Sequence, residues 1–397
     1  MFDSVSLAPP DPILGLAEAF AKDPRTDKIN LTIGVYQNDD GRTPILECVK
    51  SAEKLLWELE QSKSYLAIDG LAAFRQQAFE LALGGLARFS STAVVQTPGG
   101  TGALKVAADL LRKNFGPLRV WVSIPTWPNH NSLFESSGLE VKSYPYLSAD
   151  KRSMDFAAML STIENEARTG DVLCLHGCCH NPSGIDPSPD QWRQIFELSA
   201  RKKMLPLVDF AYQGFGSGIE EDRECLRALQ PFHFEYIVCS SFSKNFGLYG
   251  ERVGALMLVC SDDDQATNVS SSAKQVVRTN YSNPPRHGGA LIATVLGNPE
   301  LKGLWLTELT AMRERIQRMR ESFVLGMKAT RCSVDFSFLL NQRGMFSFSG
   351  LNPMQVDWLR NEKGIYVIGN GRINVAGMTS GNLPKLIGSI AECLQSV

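Results

Sequence analysis

The chain has 397 residues, 44% of them hydrophobic and 21% charged, a composition typical of a folded globular protein and not of a disordered or fibrous one. Its 40 basic and 42 acidic residues give a formal net charge of −2, so neither a nucleic acid nor an acidic membrane surface is an expected partner. The length exceeds the size at which one hydrophobic core usually stops growing, which predicts two domains.

The N-terminal sequence, the apolar runs and the cysteines together bear on where in the cell the protein is located. The opening MFDSVSLAPP lacks the basic and apolar regions of a secretory signal, so none is expected. No apolar run approaches the roughly 18 residues of a membrane span. The nine cysteines form no regular framework, which in a chain of this length indicates reduced thiols and predicts a cytoplasmic protein.

Short apolar runs alternate with helical patterns through the middle of the chain. The runs are nearly continuous, as expected of strands covered on both faces by helices. Helical stretches are predicted to begin near Thr101, Pro128 and Pro189. This alternation predicts an α/β fold with a mostly parallel sheet. The predicted strands are residues 94–97, 119–123, 171–176, 205–210 and 236–242.

The character of the sequence changes after Pro299. Residues 301–328 have helical spacing and contain no proline, which predicts an amphipathic helix that links two domains. Beyond it, FSFLL, GMFSFSG and RINVAGM predict a small α+β unit. We therefore predict an N-terminal segment (1–45) packing with the small domain, a large domain (46–300), and the linking helix with the small domain (301–397). The apolar positions of the helix are Leu304, Trp305, Leu309, Met312, Ile316 and Met319.

Polar residues follow each apolar run at the point where the strand ends. Ligands of open α/β sheets bind at the carboxyl ends of the strands, so these residues are expected to converge on one site. They are Gly99, Gly100, Thr101, Trp127, Asn181, Asp209, Tyr212 and the segment 241–244.

Lys244, in SSFSKNFGLYGERVG, is the candidate for covalent chemistry. A lysine just past a buried strand loses solvation, which lowers its pKa and frees its amine for a Schiff base. A lone lysine there would more simply extend its amine to solvent. Arg252 and the hydroxyls of Ser241 and Ser243 favour the chemical interpretation, because together they can hold a phosphate dianion beside the amine.

Asp209 and Asn181 each have an ordinary structural alternative. A carboxylate as deep as Asp209 must be paired or hydrogen-bonded, and a helix cap or structural ion pair would suffice. Asn181 precedes a proline, as in many plain turns. Beside a lysine-bound pyridine ring, however, Asp209 could keep the ring nitrogen protonated, while Tyr212 and Asn181 could bond the ring's phenolic oxygen.

Other candidate sites are weaker. TPGGTGAL can bind phosphate at a helix start, but it matches neither the dinucleotide fingerprint nor the P-loop. Cys178 and Cys179, flanked by His176 and His180, lack zinc-ligand spacing, so no metal is expected. Trp127 could stack on a planar ring or simply fill a core. Arginines recognise carboxylates in a bidentate fork, but this rule alone does not single out particular arginines.

The motifs SFSKNFGLYGERVG, VDFAYQGFG, HGCCHNPSGIDP, QTPGGTGALKVAAD, YLAIDG, TNYSNPP, GMFSFSGL and GRINVAGMT together resemble those of class I pyridoxal-phosphate aminotransferases. The resemblance extends over essentially the whole chain, from DPILGLAEAF to GRINVAGMT. It implies fold type I, with a mostly parallel central sheet flanked by helices in the large domain and a small α+β domain. It also implies pyridoxal 5′-phosphate as cofactor, amino acids and 2-oxo acids as substrates, and a homodimer with shared active sites.

The resemblance also implies a role for each site residue. Lys244 would bind the cofactor and move the substrate proton, Asp209 would pair with the ring nitrogen with support from His130, and Trp127 would stack on the ring. Asn181 and Tyr212 would bond the phenolic oxygen. Arg372, near Gly34, would bind the substrate α-carboxylate, and Arg278 of the neighbouring subunit the distal one. The implied phosphate ligands are Gly100, Thr101, Ser241, Ser243, Arg252 and Tyr65 of the neighbouring subunit.

Secondary positions divide between two branches of the family. Val35, Thr43, Thr101 and Asn283 resemble the bacterial aspartate branch, whereas Gly250 resembles the aromatic branch and Ser64 and Ala67 depart from the aspartate pattern. The expected reaction is therefore transfer of the amino group from aspartate to 2-oxoglutarate, with aromatic amino acids as the alternative. A β-lyase, a decarboxylase or a non-catalytic sensor on the same fold stays open as a rival.

Overall fold

The computed structural model describes residues 2–7, 14–232 and 235–396. The strands are β1 Ile29–Asn30, β2 Thr92–Pro98, β3 Arg119–Ile124, β4 Glu140–Pro145, β5 Val172–His176, β6 Leu205–Phe210, β7 Tyr236–Ser241, β8 Val253–Val259, β9 Phe346–Phe348, β10 Ile365–Tyr366 and β11 Arg372–Asn374. The helices are α1 Leu14–Lys22, α2 Glu47–Leu59, α3 Ala72–Leu83, α4 Gly99–Phe115, α5 Asn129–Ser136, α6 Phe156–Glu166, α7 Pro189–Lys202, α8 Glu224–Arg227, α9 Asp263–Asn280, α10 Arg286–Gly297, α11 Pro299–Ala329, α12 Pro353–Lys363 and α13 Leu383–Ser396. Short 3₁₀ turns occupy Phe2–Ser4, Glu221–Arg223, Gln230–Phe232, Ser337–Asn341 and Val375–Gly377.

A seven-stranded sheet with the order β2-β8-β7-β6-β5-β3-β4 organises the larger part of the chain. Only β8 runs antiparallel to its neighbours, so the predicted, mostly parallel sheet is confirmed and all five predicted strands are present. The predicted set omits β4 and β8. The edge strand β4, with the sequence EVKSYP, carries too few apolar residues to be recognised by an apolar run, whereas β8, VGALMLV, meets that criterion.

Both faces of the sheet are covered, as the continuous apolar runs predict. On one face, Ala103 and Ala107 of α4 and Val277 of α9 pack against the sheet. On the other, a larger core joins α2, α3 and α10 to α11. All five residues of β5 and all six of β7 are buried. Polar atoms can therefore reach solvent or ligand only at the strand ends.

The long helix predicted over 301–328 is α11, and it spans 31 residues. Its five predicted apolar positions from Trp305 to Met319 are buried, but Leu304 is 38% exposed, so its assignment to the apolar face is wrong. Two arginines, Arg315 and Arg320, are buried instead. An arginine on the apolar face of a helix escapes a pattern based on hydrophobicity.

Two small sheets join the ends of the chain. In one, β9 pairs antiparallel with β11. In the other, β1 pairs in parallel with β10, which brings the N-terminal segment against the C-terminal part. The end of α12 sets up this pairing: Gly364 ends the helix with φ 65°, which glycine adopts without strain, and its carbonyl accepts from the Ile29 N–H at 2.9 Å.

Two global expectations concern membranes and cysteines. Within the described ranges, no helix is both long and apolar enough to cross a membrane. All nine cysteines fall inside these ranges and are free thiols.

Candidate active site

A cavity of about 200 Å³ opens at the carboxyl ends of the parallel strands. Twelve of the fifteen predicted site residues line it, from eight separate stretches of the chain. Its lining consists of Gly34, Gly100, Thr101, Leu104, Trp127, Asn181, Asp209, Ala211, Tyr212, Ser241, Ser243, Lys244, Arg252, Phe346 and Arg372.

One corner of the cavity is built to receive an anion. Gly99 follows β2 with φ 75°, and a Cβ on it would overlap the Arg252 guanidinium. A Cβ on Gly100 would come within 2.9 Å of the Ser241 Cβ. Ser241 donates to Ser243 at 3.2 Å, and Arg252 Nη1 lies 3.4 Å from the Ser243 hydroxyl. Because Gly99 and Gly100 have no side chains, this corner stays empty. Two serine hydroxyls and a guanidinium surround the empty space, and such a set of donors suits a phosphate group.

Arg252 occupies this corner because β8 reverses direction. It immediately precedes β8, so the antiparallel strand begins at the edge where its parallel neighbours end. Its φ of 52° lies in the left-handed region that side chains rarely adopt. Such backbone strain is concentrated at functional sites, which agrees with an anion-binding role for this residue.

Lys244 lines the cavity and lies three residues past the end of β7. Its Nζ lies 4.9 Å from the centroid of the Tyr212 ring. Burial lowers the pKa of Lys244; the Asp209 carboxylate opposes this shift and the Arg252 charge adds to it. A larger share of the amine is therefore neutral, and so nucleophilic and basic, than in an exposed lysine.

Asp209, in β6, is held by a chain of hydrogen bonds that runs away from the cavity. Its Oδ2 lies 3.1 Å from His130 Nε2. The Thr126 hydroxyl lies 2.8 Å from His130 Nδ1 and 3.1 Å from His176 Nε2. Burial alone would raise the pKa of Asp209, but the His130 hydrogen bond and the Lys244 charge help to hold it below its ordinary value. The cavity therefore contains a fixed negative charge.

Asn181 and Tyr212 approach one another from two loops. Asn181 Nδ2 donates to the Tyr212 hydroxyl at 3.3 Å, and the Asn181 Oδ1 has no partner among the described residues. Burial is the largest influence on Tyr212 and raises its pKa, so its hydroxyl keeps its proton. The pair offers polar groups to a ligand between them.

Arg372, at the start of β11, closes the cavity from the opposite side. It is only 3% exposed. Its Nη2 donates to the Thr32 carbonyl at 2.6 Å, whereas its Nε lacks a partner within the described part of the chain. Burial lowers the pKa of Arg372 to about 10. A substrate carboxylate would supply the missing acceptor.

The sequence prediction missed three lining residues and part of the support behind the site. Phe346 is the most important: the Arg372 guanidinium lies 4.4 Å from its ring centroid, and a Cβ on Gly34 would approach the ring to 3.0 Å. Its position in the GMFSFSG motif was an available signal. Thr126 and His176 gave none, because they lie behind His130 and do not line the cavity.

Tyr65 and Arg278 do not join the other candidates in this single chain. Tyr65 is 92% exposed. Arg278 donates to Ser282 on the surface, and neither side chain is among the residues that line the cavity. The sequence prediction places both in the active site of a neighbouring subunit, and their exposure leaves them available for such a contact.

The histidines and cysteines near the site make different contacts. His180 bonds the hydroxyls of Ser123 and Ser183 at 3.0 and 2.8 Å, so it does not share a metal site with the cysteines. Cys178 and Cys179 do lie near Asp222, with the possible ligand atoms within 4.8 Å of one another. Asp222, however, already accepts three backbone N–H groups.

Comparisons with known proteins agree with the geometry. The profile of aminotransferase classes I and II matches residues 26–390. The chain is 52% identical to the aspartate aminotransferase of Escherichia coli (99% of this chain, 100% of the relative) and 45% identical to the aromatic-amino-acid aminotransferase of Pseudomonas aeruginosa (98% of each). It superposes with a TM-score of 0.97 on an aromatic-amino-acid aminotransferase from Burkholderia pseudomallei covalently bound to pyridoxal phosphate (46% identity, 99% of each chain).

Proposed function

The chain belongs to the class I and II aminotransferases, and from this premise we propose that it is an aspartate aminotransferase. The reaction is the reversible transfer of the amino group from L-aspartate to 2-oxoglutarate, which gives oxaloacetate and L-glutamate in a ping-pong sequence. One observation carries the proposal: Lys244, Asp209, Arg252 and Arg372 converge on a single cavity. The high identity to aspartate aminotransferases supports the choice of substrate.

The residues present fit pyridoxal phosphate, the cofactor of this family. The space left by Gly99 and Gly100 beside Arg252 suits its phosphate, and the buried carboxylate of Asp209, whose pKa is held below its ordinary value, suits its protonated ring nitrogen. When bound, this cofactor supplies an electron-withdrawing ring that acidifies the substrate Cα. The residues assigned to its phosphate are Gly100, Thr101, Ser241, Ser243, Arg252 and the neighbouring subunit's Tyr65.

Around the cofactor ring, each side chain has one task. Trp127 would stack on its face, and Asn181 and Tyr212 would donate to its phenolic oxygen. Asp209, held ionised and oriented by His130, keeps the ring nitrogen protonated. This fixed charge is in place before substrate arrives, so it costs no reorganisation during the reaction.

Lys244 is the covalent anchor and the proton carrier. With the cofactor and an amino acid bound, its neutral amine would take up the Cα proton and, once protonated, would act as the proton donor in the reverse direction. Its lowered pKa brings it nearer to neutrality, where a group that both accepts and donates protons is most efficient.

Two arginines define the substrate as a dicarboxylate. Arg372 binds the α-carboxylate with its remaining donors, close to Gly34. The neighbouring subunit's Arg278 binds the distal carboxylate. A guanidinium left facing an apolar side chain loses a charge-assisted hydrogen bond, which costs about 1.5–3 kcal/mol. This cost favours aspartate and glutamate.

A homodimer follows from this assignment and has a specific test. Lys244→Ala should be inactive and Arg278→Ala should retain about 1–10% of the wild-type activity on aspartate, and their subunits are mixed under conditions that exchange chains. If Arg278 acts across the interface, each mixed dimer holds one intact site, so about a quarter of wild-type sites should return in an equal, random mixture. If Arg278 acts in its own chain, no intact site forms and activity does not return.

The division into an N-terminal segment (1–45), a large domain (46–300) and a small domain (301–397), with closure of the small domain on dicarboxylates, belongs to the same proposal. The parallel pairing of β1 with β10 supports grouping the N-terminal segment with the small domain. A cytoplasmic location is proposed from the nine free thiols.

Aromatic amino acids form the second candidate substrate class. A Cβ on Gly250 would meet nothing within 4 Å, so this position leaves open space as in the aromatic branch. One solved relative at a TM-score of 0.97 is an aromatic amino acid aminotransferase from Psychrobacter that was cocrystallised with aspartic acid. The two substrate classes can therefore overlap in one family member.

Single-turnover spectroscopy separates the two candidates. The cofactor-loaded enzyme is mixed with aspartate and then, separately, with phenylalanine, while conversion of the bound cofactor to its amine form is followed. Fast conversion with aspartate and slow conversion with phenylalanine supports the proposal. Comparable rates with the two amino acids would identify a dual-specificity aromatic aminotransferase. If neither amino acid converted the cofactor, the protein would be better explained as a non-catalytic sensor.

A further inference from the structure

A second cavity, of about 380 Å³, lies apart from the candidate active site, between α11, the loop after β6 and the segment that leads into β9. We propose that it is a binding site for a small protonated oxyanion such as hydrogen phosphate. Three arginines and a buried glutamine line it: Arg313 and Arg320 of α11, Arg343 and Gln342. The inference does not depend on the proposed activity.

The arginines at this cavity lack carboxylate partners. Across the described residues, no acidic oxygen lies within 4.0 Å of a nitrogen of Arg313, Arg320 or Arg343, although the structure contains twenty ion pairs elsewhere. Glu314 also lines the cavity, but it is 60% exposed and pairs with Arg318. Three guanidinium groups therefore line the cavity, and among the described residues none of them has a carboxylate at ion-pair distance.

The lack of a carboxylate partner has the largest free-energy cost at Arg320, because this residue is buried. It is 2% exposed, donating to the Gln317 side chain at 3.1 Å and to the Gly344 carbonyl at 2.6 Å. Its Nε has no partner among the described residues. Burial lowers the pKa of Arg320 to about 10. A buried guanidinium that meets only neutral acceptors is destabilising, and a bound anion would supply the missing charge and acceptor.

The two outer arginines approach from opposite walls. Arg313 donates to the Gly214 carbonyl at 3.1 Å, and Arg343 donates to the Ser217 hydroxyl at 2.8 Å. Both contacts use neutral oxygens, so each guanidinium keeps donors for a ligand. Asp186 and Asp222, the nearby acids, are engaged by backbone N–H groups instead.

Gln342 defines which anion fits. Its side chain is 1% exposed, and within the described residues neither its Nε2 nor its Oε1 has a partner. An amide at a ligand site needs an acceptor for its N–H₂ group and a donor for its oxygen. Hydrogen phosphate offers both, because it carries oxygens and an O–H group. Sulfate at neutral pH has no proton to donate, so it satisfies only half of Gln342.

The site also touches the candidate active site through the backbone. Gly344, whose carbonyl accepts from Arg320, precedes Met345 and Phe346, and Phe346 lines the substrate cavity. The Arg343 N–H donates to the Gly184 carbonyl, in the loop that carries Asn181, at 2.6 Å. An anion here would fasten α11, the loop after β6 and the Phe346 segment to one another.

The test is calorimetric titration of the cofactor-loaded wild-type protein with inorganic phosphate, at ionic strength held constant with potassium chloride. Hydrogen bonds to charged groups contribute about 1.5–3 kcal/mol each, so Arg313→Gln and Arg343→Gln should each weaken binding at least about tenfold. Arg318→Gln, on the same helix and with the same change of charge, should bind phosphate as the wild type does. Arg343 is exposed, so its variant should fold normally, as circular dichroism can verify.

Selectivity provides an independent measurement. Wild type should bind phosphate more tightly than sulfate, and Gln342→Leu should abolish that preference while retaining some affinity for both. Absence of phosphate binding at millimolar concentration, or equal losses in Arg318→Gln and Arg343→Gln, would overturn the proposal. Loss of binding in Arg372→Ala with retention in Arg343→Gln would also overturn it, because the anion would then occupy the candidate active site.

Discussion

Asp209 Oδ2 and His130 Nε2 lie 3.1 Å apart, both buried, and this contact connects the floor of the cavity to Thr126 and His176. Because His176 is buried beside other histidines, its pKa is well below its ordinary value, so the far end of the chain is neutral near pH 7. The pKa of Asp209 is held below its ordinary value, so a negative charge faces the cavity.

Asp209→Asn should lower kcat far more than His130→Asn. The first substitution removes the charge that stabilises a cationic ring, and loss of one such preorganised group costs about 10²–10³-fold. The second removes one hydrogen bond to Asp209 but leaves its charge in place, so we expect a loss at the lower end of the roughly 10- to 100-fold value of such a bond. Steady-state kinetics on aspartate and the pH profile of kcat measure both. A loss in His130→Asn as large as that in Asp209→Asn would contradict the division of roles.

Arg278→Ala should alter substrate choice more than general activity. We expect kcat/KM on aspartate to fall about 10- to 100-fold, the value of a hydrogen bond to a charged group, while kcat/KM on phenylalanine changes little. Arg193→Ala, which removes an exposed arginine paired only with Asp190, is the matched control. Equal losses on the two substrates would show that Arg278 does not bind the distal carboxylate.

Gly99→Ala should weaken cofactor binding through sterics. The added methyl group would overlap the Arg252 guanidinium, and φ is 75°. Gly41→Ala is the matched control, because its φ is 72° but nothing lies within 4 Å of the new Cβ. Both carry the same backbone strain, of about 1 kcal/mol, so only Gly99→Ala should raise the cofactor Kd. The measurement is a titration of the cofactor-free proteins with the cofactor. If Gly41→Ala raises the cofactor Kd as much as Gly99→Ala does, backbone strain alone explains the loss of affinity.

The free energy of unfolding should depend on pH through His180. Burial lowers the pKa of His180 to about 3, so the folded protein keeps it neutral while the unfolded chain binds a proton below about pH 6.5. The stabilising contribution is therefore complete above about pH 6.5 and declines as the pH falls towards 3. Relative to His180→Gln, wild type should lose about 1–2 kcal/mol more between pH 7 and pH 5.

Urea unfolding at each pH, with excess cofactor at a fixed concentration, measures this difference. His287→Gln replaces an exposed histidine and should follow the wild-type curve. Asp186 acts in the opposite direction, because burial raises its pKa to about 6, but it is present in all three proteins and cancels. Parallel curves for wild type and His180→Gln would refute the assignment.

The sheet and most of the cavity could be predicted because their signals are local. Buried strands leave continuous apolar runs, and the residue after each run must lie at the sheet edge. Lys244 and Asp209 were found in this way. The miss at β4 has the same origin, since its sequence EVKSYP leaves no such run, whereas the miss at β8, which has an apolar run, has no such explanation.

Other features depend on contacts between distant parts of the chain. The burial of Arg315 and Arg320 follows from what packs on α11 and not from the helix sequence. The role of Thr126 could not be predicted from the sequence, because it depends on contacts with both His130 and His176 in the folded chain. The absence of Tyr65 and Arg278 from the cavity of a single chain also has no local signal; the resemblance to a family suggested where they act.

Arg372 donates to the carbonyl of Thr32, and the same segment is held by the Asn374 side chain, which donates to the carbonyls of Ile33 and Val35. The guanidinium is thus immobilised before any substrate arrives, and its rotamer entropy has been lost during folding and not during binding. Affinity for the α-carboxylate should accordingly have a small entropic penalty at this residue. A substitution that releases Thr32 from Arg372 would move that penalty from folding to binding, and the protein would become a weaker binder without any change in the groups that contact the substrate.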